Sequence, residues 1–333
     1  MNLSRNCQRI LQAIIGGAVG LTLMAATYAQ PATPGRSGVS GPATPTAAPA
    51  DAGYPAPTFT AVPLTDSLVQ ITGGPVNIVV LVQPEGLLLV NGGPEAHAPA
   101  LQAFLQRQFP GKPVKVIFNT DWHPQNTGFN EAAAAQGAKI VAHENTKQWM
   151  GTTIHCKWRQ RTFAPAPKAA MPTETFYTTG ELTFGMEKVA YGYLGAAHTD
   201  GDIYVYFPGP NVLVAGDVVT AGSYPILDYT TGGWIGGIAN ATHTLVGLAK
   251  DDTRIVPAAG PVLARADLVA ESDMLAAMRD KLVKMMKSGM GIEEIITAAP
   301  TREFDAKWGD PERFMSNVYP GLWWHVRDLG GVI

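Results

Sequence analysis

From residue 58 onward, short apolar runs alternate with turn formers. TFTAVPL, SLVQITG, NIVVLVQ and GLLLVNGG follow one another with few residues between them, which predicts consecutive strands in a meander. The period then changes: Ala98, Leu101, Phe104 and Leu105 fall on one side of a helix spanning Glu95 to Phe109. VKVIFNT reads as a strand running into a polar segment, NEAAAAQG as a short helix closed by Gly137, and KIVAH as another buried strand. Residues 151–173 follow neither period and carry several prolines, which predicts a long irregular loop of the kind used as a lid or binding loop. Strands resume with TFYTTGELTF, KVAYGYL, DIYVYFP and NVLVAGD, followed by a helix over 234–250 and the segment TRIVPAAGP. Over 264–287, Leu268, Leu275, Met278, Leu282 and Met285 recur at helical spacing up to a stop at Gly289, and two shorter helices, 292–298 and 311–327, end the chain. Strands followed by helices, twice over, predict two sheet layers faced by helices, an α/β (α+β) architecture.

The first residues follow another rule. Arg5 and Arg9 precede an apolar run from Ile10 to Ala26 that is interrupted by Gly16, Gly17 and Gly20 and ends in small residues up to Ala29. This is the pattern of a secretory signal peptide over 1–29, cleaved to leave an exported chain, periplasmic or secreted, with no transmembrane anchor. Residues 30–57 are rich in proline and alanine and poor in large apolar side chains, which predicts a disordered linker. A folded domain over 58–262 and a helical extension over 263–333 complete the expected organisation. The formal charge is -3 for the whole chain and becomes -5 once Arg5 and Arg9 are removed. With no basic block, nucleic acid is excluded as a partner. The cleaved chain keeps one cysteine, Cys156, so no internal disulfide forms and the thiol is expected to be a buried apolar group. The fold must therefore hold by its core, for which 46% hydrophobic residues suffice.

Four stretches carry polar residues out of keeping with their apolar lead-ins: NTDWHPQNTG, AAHTDGD, VAGDVV and VPAAGP. Residues at strand ends converge on one edge of a layered sheet, where sites are usually built. With these motifs, and with AHENT, LGAAHTDGDIYVYFP, NVLVAGDVV and YPILDYTTGGWIGG, the chain resembles the metallo-β-lactamase fold superfamily, and its exported branch in particular, over residues 57–261. The resemblance implies a four-layer αββα sandwich with a C-terminal helical extension. It also implies two metals, the first held by three histidines, the second by an aspartate and two further histidines, with a bridging aspartate between them. Carried over by position, His123 and His198 match two histidines of the first site and Asp217 matches the bridge. Asp121 replaces the remaining histidine of the first site. Gln125, Asn126 and Ala259 stand where the second metal's own ligands would be.

The resemblance thus implies that the second site is lost, because a carboxamide binds divalent zinc poorly and alanine cannot bind it. Asp121, His123, His198 and Asp217 remain as ligands for one divalent metal, zinc by preference and iron or manganese acceptably. Without an ion, the two carboxylates would repel unless one kept its proton or hydrogen bonds held it. Asp121 has a second reading, as a cap on the helix that follows. Asp202 is expected to brace the loop beneath His198. His97, His143, His155, His243 and His325 fall outside the motifs and are expected to be surface or hydrogen-bonded residues. Glutamine at 125 can orient water but cannot accept its proton. Two functions follow: one-metal hydrolysis of a small ester, lactam or lactone, or a catalytically silent descendant, with or without a metal, that binds a ligand or protein partner through the old pocket. A structural accessory domain is a third, with only the fold in its favour.

Overall fold

Every second side chain along the central strands faces one layer and its neighbours face another, and this alternation fixes the architecture. The computed structural model describes residues 53–328. The expected signal peptide and the linker up to residue 52 lie outside the described residues. Residues 53–57 hold no helix or strand, and the Tyr54 ring meets His97 edge-on at 6.0 Å.

One sheet holds β1 (Thr60–Pro63), β2 (Leu68–Thr72), β3 (Ile78–Gln83), β4 (Gly86–Val90), β5 (Val114–Phe118), β6 (Lys139–His143) and β9 (Glu174–Phe176) in that order. The first four form the predicted antiparallel meander, and the rest join in parallel. The second sheet holds β10 (Thr179–Phe184), β11 (Glu187–Tyr193), β12 (Ile203–Phe207), β13 (Val212–Gly216) and β14 (Arg254–Pro257). Its first four strands are antiparallel and β14 pairs parallel to β13. The hairpin β7 (Ile154–Cys156) and β8 (Arg161–Phe163) stands apart. The helices are α1 (Ala98–Gln108), α2 (Pro124–Thr127), α3 (Asn130–Ala134), α4 (Glu144–Met150), α5 (Ile235–Leu248), α6 (Arg265–Lys287), α7 (Ile292–Thr297), α8 (Asp305–Trp308) and α9 (Glu312–Asp328).

Three cores separate four layers. Ile78, Val80, Leu87 and Leu89 pack outward against Leu101 and Leu105 of α1. Their alternates Val79, Leu81, Leu88 and Val90 meet Val205, Phe207, Val212 and Val214 of the second sheet. Leu213 and Ala215, again the alternates, face Ile238, Leu245, Leu275 and Met278 of α5 and α6. This is the αββα sandwich with C-terminal helices.

Two sequence expectations need correcting. The 151–173 loop is not irregular throughout, because it contains the β7–β8 hairpin, whose buried Ile154, Cys156 and Phe163 form a small core with Trp122 and Met150. TFYTTGELTF is also not one strand: it breaks at Tyr177 and Thr178, sending β9 to one sheet and β10 to the other. Short apolar runs disclose strand character but not which sheet receives them. No helix among the described residues is long and apolar enough to cross a membrane.

Close backbone approaches join the layers at the site edge. Ile203 donates its N–H to the Thr120 carbonyl at 3.0 Å, linking the sheets. Gly216 adopts φ +57°, and a Cβ there would lie 2.7 Å from the Thr120 side chain, so glycine alone lets β13 end against the loop after β5. The helical extension is tied to the same edge by Glu271, fully buried in α6. Its carboxyl accepts the Thr220 N–H at 3.0 Å and the Thr220 hydroxyl at 2.8 Å, just past Asp217. Burial pushes this carboxyl up to about 8, even though the Thr220 hydrogen bonds favour the charged form.

Because the folded chain keeps the Glu271 proton where the unfolded chain has lost it, stability is full below the ordinary value of 4.5. It falls by about 1.4 kcal/mol per pH unit above that until the folded group titrates. Glu271→Gln should match the parent in thermal denaturation at pH 4.5 and exceed it increasingly up to pH 8.5; a constant difference across that range would refute the assignment.

Candidate metal centre

The loop after β5 turns because its polar side chains satisfy its own backbone. Asp121 Oδ1 accepts the His123 N–H at 2.7 Å, and Pro124 starts α2 at the position where a missing N–H costs nothing. Asn91, beyond β4, accepts the Thr120 N–H at 3.0 Å, which holds the loop from the neighbouring strand. Asn119 and Asn130 pair side chain to side chain at 3.0 and 2.8 Å beneath it. On the other sheet, the loop from β11 to β12 carries His198. Asp202 accepts the Thr199 N–H at 2.8 Å and the Thr199 hydroxyl at 3.0 Å, closing the turn that follows His198. The His198 carbonyl in turn accepts the Asp228 N–H at 2.8 Å.

These loops bring three expected ligands to one point. Asp121 Oδ1 lies 3.2 Å from His123 Nδ1, which lies 3.1 Å from His198 Nε2, and the three donor atoms lie within 4.8 Å of one another. Each imidazole has its other nitrogen engaged: His198 Nδ1–H donates to the Ile226 carbonyl at 2.6 Å, and His123 Nε2 meets Asp228 Oδ2 at 3.2 Å. Such outer partners fix the tautomer and aim the free nitrogen at an ion. Asp121 and His123 are sealed from solvent, and His198 is 2% exposed.

Asp217 lies beside this group rather than within it. Asn126 Nδ2 donates to Asp121 Oδ2 at 2.8 Å and to Asp217 Oδ2 at 2.7 Å, so its amide stands between the two carboxyls. The carboxamide oxygens of Asn126 and Gln125 are buried with no hydrogen-bond donor. Ala259 is exposed beyond β14. Of the remaining histidines, His143 stacks on Tyr193 at 3.9 Å and has both ring nitrogens bonded, while His97 is buried with neither nitrogen bonded. His325 lies outside the described side chains.

The charged groups of the site shift one another. Burial raises Asp217, and the adjacent Asp121 charge raises it further. Asp121 is held well below the usual carboxylate range despite its burial, because His123 bonds to it and both imidazoles favour its charge. Burial alone would depress His123, but Asp121 and Asp228 outweigh it and raise the ring's pKa. Two imidazoles and one carboxylate converging on one point, with both outer nitrogens held, fit a divalent cation.

Three contributors escaped the sequence reading. Asp228 had only its place in YPILDYTTGG as a signal, an acid ending an apolar run ahead of a turn. Trp122 stacks on His123 at 4.3 Å between ring centroids and donates its indole N–H to Thr231 Oγ1 at 3.0 Å. Trp158, at the tip of the β7–β8 hairpin, donates to Asp228 Oδ1 at 2.8 Å.

Comparison with known proteins agrees with this fold. The profile of the Metallo-beta-lactamase superfamily matches residues 71–261. The chain is 24% identical over 242 residues to the 2,4-dinitroanisole O-demethylase subunit alpha of Nocardioides sp. (strain JS1661), covering 71% of this chain and 68% of that protein. Among solved structures, a metallo-beta-lactamase from Pontibacter korlensis superposes with a TM-score of 0.54 at 21% identity, covering 66% of this chain and 99% of the other. The stereoselective inverting sec-alkylsulfatase Pisa1 from Pseudomonas sp. superposes with a TM-score of 0.57 at 15% identity, covering 71% and 44%.

Cobalt titration followed by calorimetry should give one ion per chain, with binding removed by Asp121→Ala or His198→Ala and weakened about 10–100-fold by Asp228→Asn. Binding should weaken as pH falls, because the ion displaces the His123 proton. Retention of full affinity in Asp228→Asn would show that the ring needs no such partner.

Proposed function

The chain belongs to the metallo-β-lactamase superfamily, and on that footing we propose that it is a hydrolase working with one divalent cation, zinc by preference, on a small ester or lactone. The single observation that carries this reading is the convergence of Asp121 Oδ1, His123 Nδ1 and His198 Nε2 on one buried point. A cation held there would polarise a carbonyl and lower the pKa of a water.

The chain's own residues would supply the rest. Asp228 and the Ile226 carbonyl keep the two imidazoles oriented, so the site needs no reorganisation to accept charge. Asp121 stays ionised and offsets one positive charge. Gln125, at the start of α2, can orient a water through its amide. A proton-transfer role falls to Asp217, whose half-buried carboxyl is raised by desolvation and the Asp121 charge and fixed by Asn126. This supports Asp217 as a proton acceptor and donor next to the reacting centre more than as a fourth ligand. A lactam remains within the same chemistry. Export rests on the N-terminal segment alone and is proposed with it.

A second reading is favoured by one observation, the near-complete burial of the three donors, which suits a chain that keeps the pocket to bind a ligand without turnover.

Purified protein, its metal content measured by mass spectrometry, should hydrolyse p-nitrophenyl acetate in a reaction lost with a chelator and restored by zinc. Asp217→Asn should lower kcat by about 10²–10⁴-fold while leaving metal content unchanged. Loss of the metal in that variant would make Asp217 a ligand, and metal-loaded protein without turnover would favour the silent reading.

A further inference from the structure

A cavity of about 370 Å³ lies between the loop after β5 and the β7–β8 hairpin. Its apolar wall includes Trp122, Met150, Ile154 and Phe163, all nearly buried. Trp122 and Phe163 stand 5.3 Å apart at 76°, forming a corner in which a flat ring can stack on one and meet the other edge-on. The volume sits at the small end of ligand sites and suits a one- or two-ring compound. Trp122 is also the ring stacked on His123, so the cavity and the metal centre share a wall.

The charged side chains that line the cavity are both acidic. Glu95 and Glu131 line it, both exposed, and neither forms an ion pair among the described residues. No lysine or arginine lines it; Arg161 lies over the Phe163 ring at 5.2 Å but is outside the lining. An anion entering this apolar space would lose hydration and meet two carboxylates with no basic side chain in the lining to offset them.

We infer that this cavity binds a planar aromatic compound bearing no negative charge. As a substrate pocket it would accept an uncharged aryl ester and reject carboxylate-bearing lactams and alkyl sulfates. The inference rests on the proposed hydrolysis only in that role, because binding itself needs neither metal nor turnover.

Calorimetry on the full chain, with and without chelator, compares three probes of one shape: 2-naphthylmethanol, 2-naphthylmethylamine as its cation, and 2-naphthoate. The alcohol and the amine should bind, and naphthoate should bind at least about tenfold more weakly. In the Glu95→Gln/Glu131→Gln double variant that gap should shrink to about threefold or less. Ala166→Trp, which places a large ring in the cavity lining, should weaken binding of the alcohol and the amine at least about tenfold in protein that still melts cooperatively. Absence of binding, a smaller gap in the parent chain, a larger one in the double variant, or unchanged binding in Ala166→Trp would each overturn the inference. A chain that binds these probes but hydrolyses nothing would sink only the hydrolase reading, whereas a hydrolase that ignores them would sink only this one.

Discussion

His123 is gripped on both sides by acids, Asp121 at Nδ1 and Asp228 at Nε2, and the candidate centre depends on that grip. A buried imidazole would ordinarily give up its charge, since desolvation disfavours the protonated form. Two carboxylates reverse the preference and raise the ring's pKa. The same contacts suit the ring to an ion, because a carboxylate on the outer nitrogen makes the inner one a better donor. Proton and metal therefore compete for one place that the fold keeps prepared.

That preparation draws on both sheets. Asp121 and His123 come from the loop after β5, and His198 from the loop after β11, joined through Thr120 at the meeting edge. Asn126 then solves the problem of two neighbouring carboxyls by donating to both, in place of the charge that a second metal would bring. An amide is the smallest side-chain group with two donors on one nitrogen, so it can satisfy both oxygens without adding net charge. The helical extension takes part as well, since Glu271 pins the turn that presents Asp217.

Much of this was legible in the sequence. The continuous apolar runs in NIVVLVQ and GLLLVNGG follow from strands buried on both faces, and the structure assigns their alternate side chains to two different cores. Asp121, His123 and His198 were legible through their positions in the motifs that carry the family resemblance. Asp228 was not, because its role depends on reaching His123 from 105 residues away, and nothing local in YPILDYTTGG signals that contact. The β7–β8 hairpin was hidden for a related reason. Its strands are three residues each and held by the small core around Trp122 and Met150, so neither period could emerge. The division of TFYTTGELTF between sheets was equally invisible, since a two-residue break looks the same whether the chain turns or crosses to another layer.

Trp158 reaches from the hairpin tip to the outer oxygen of Asp228, and the three donors have almost no solvent contact. One aspartate thus answers to two rings at once: its inner oxygen meets His123 and its outer oxygen takes the indole N–H, so the hairpin tip and the imidazole are coupled through a single side chain.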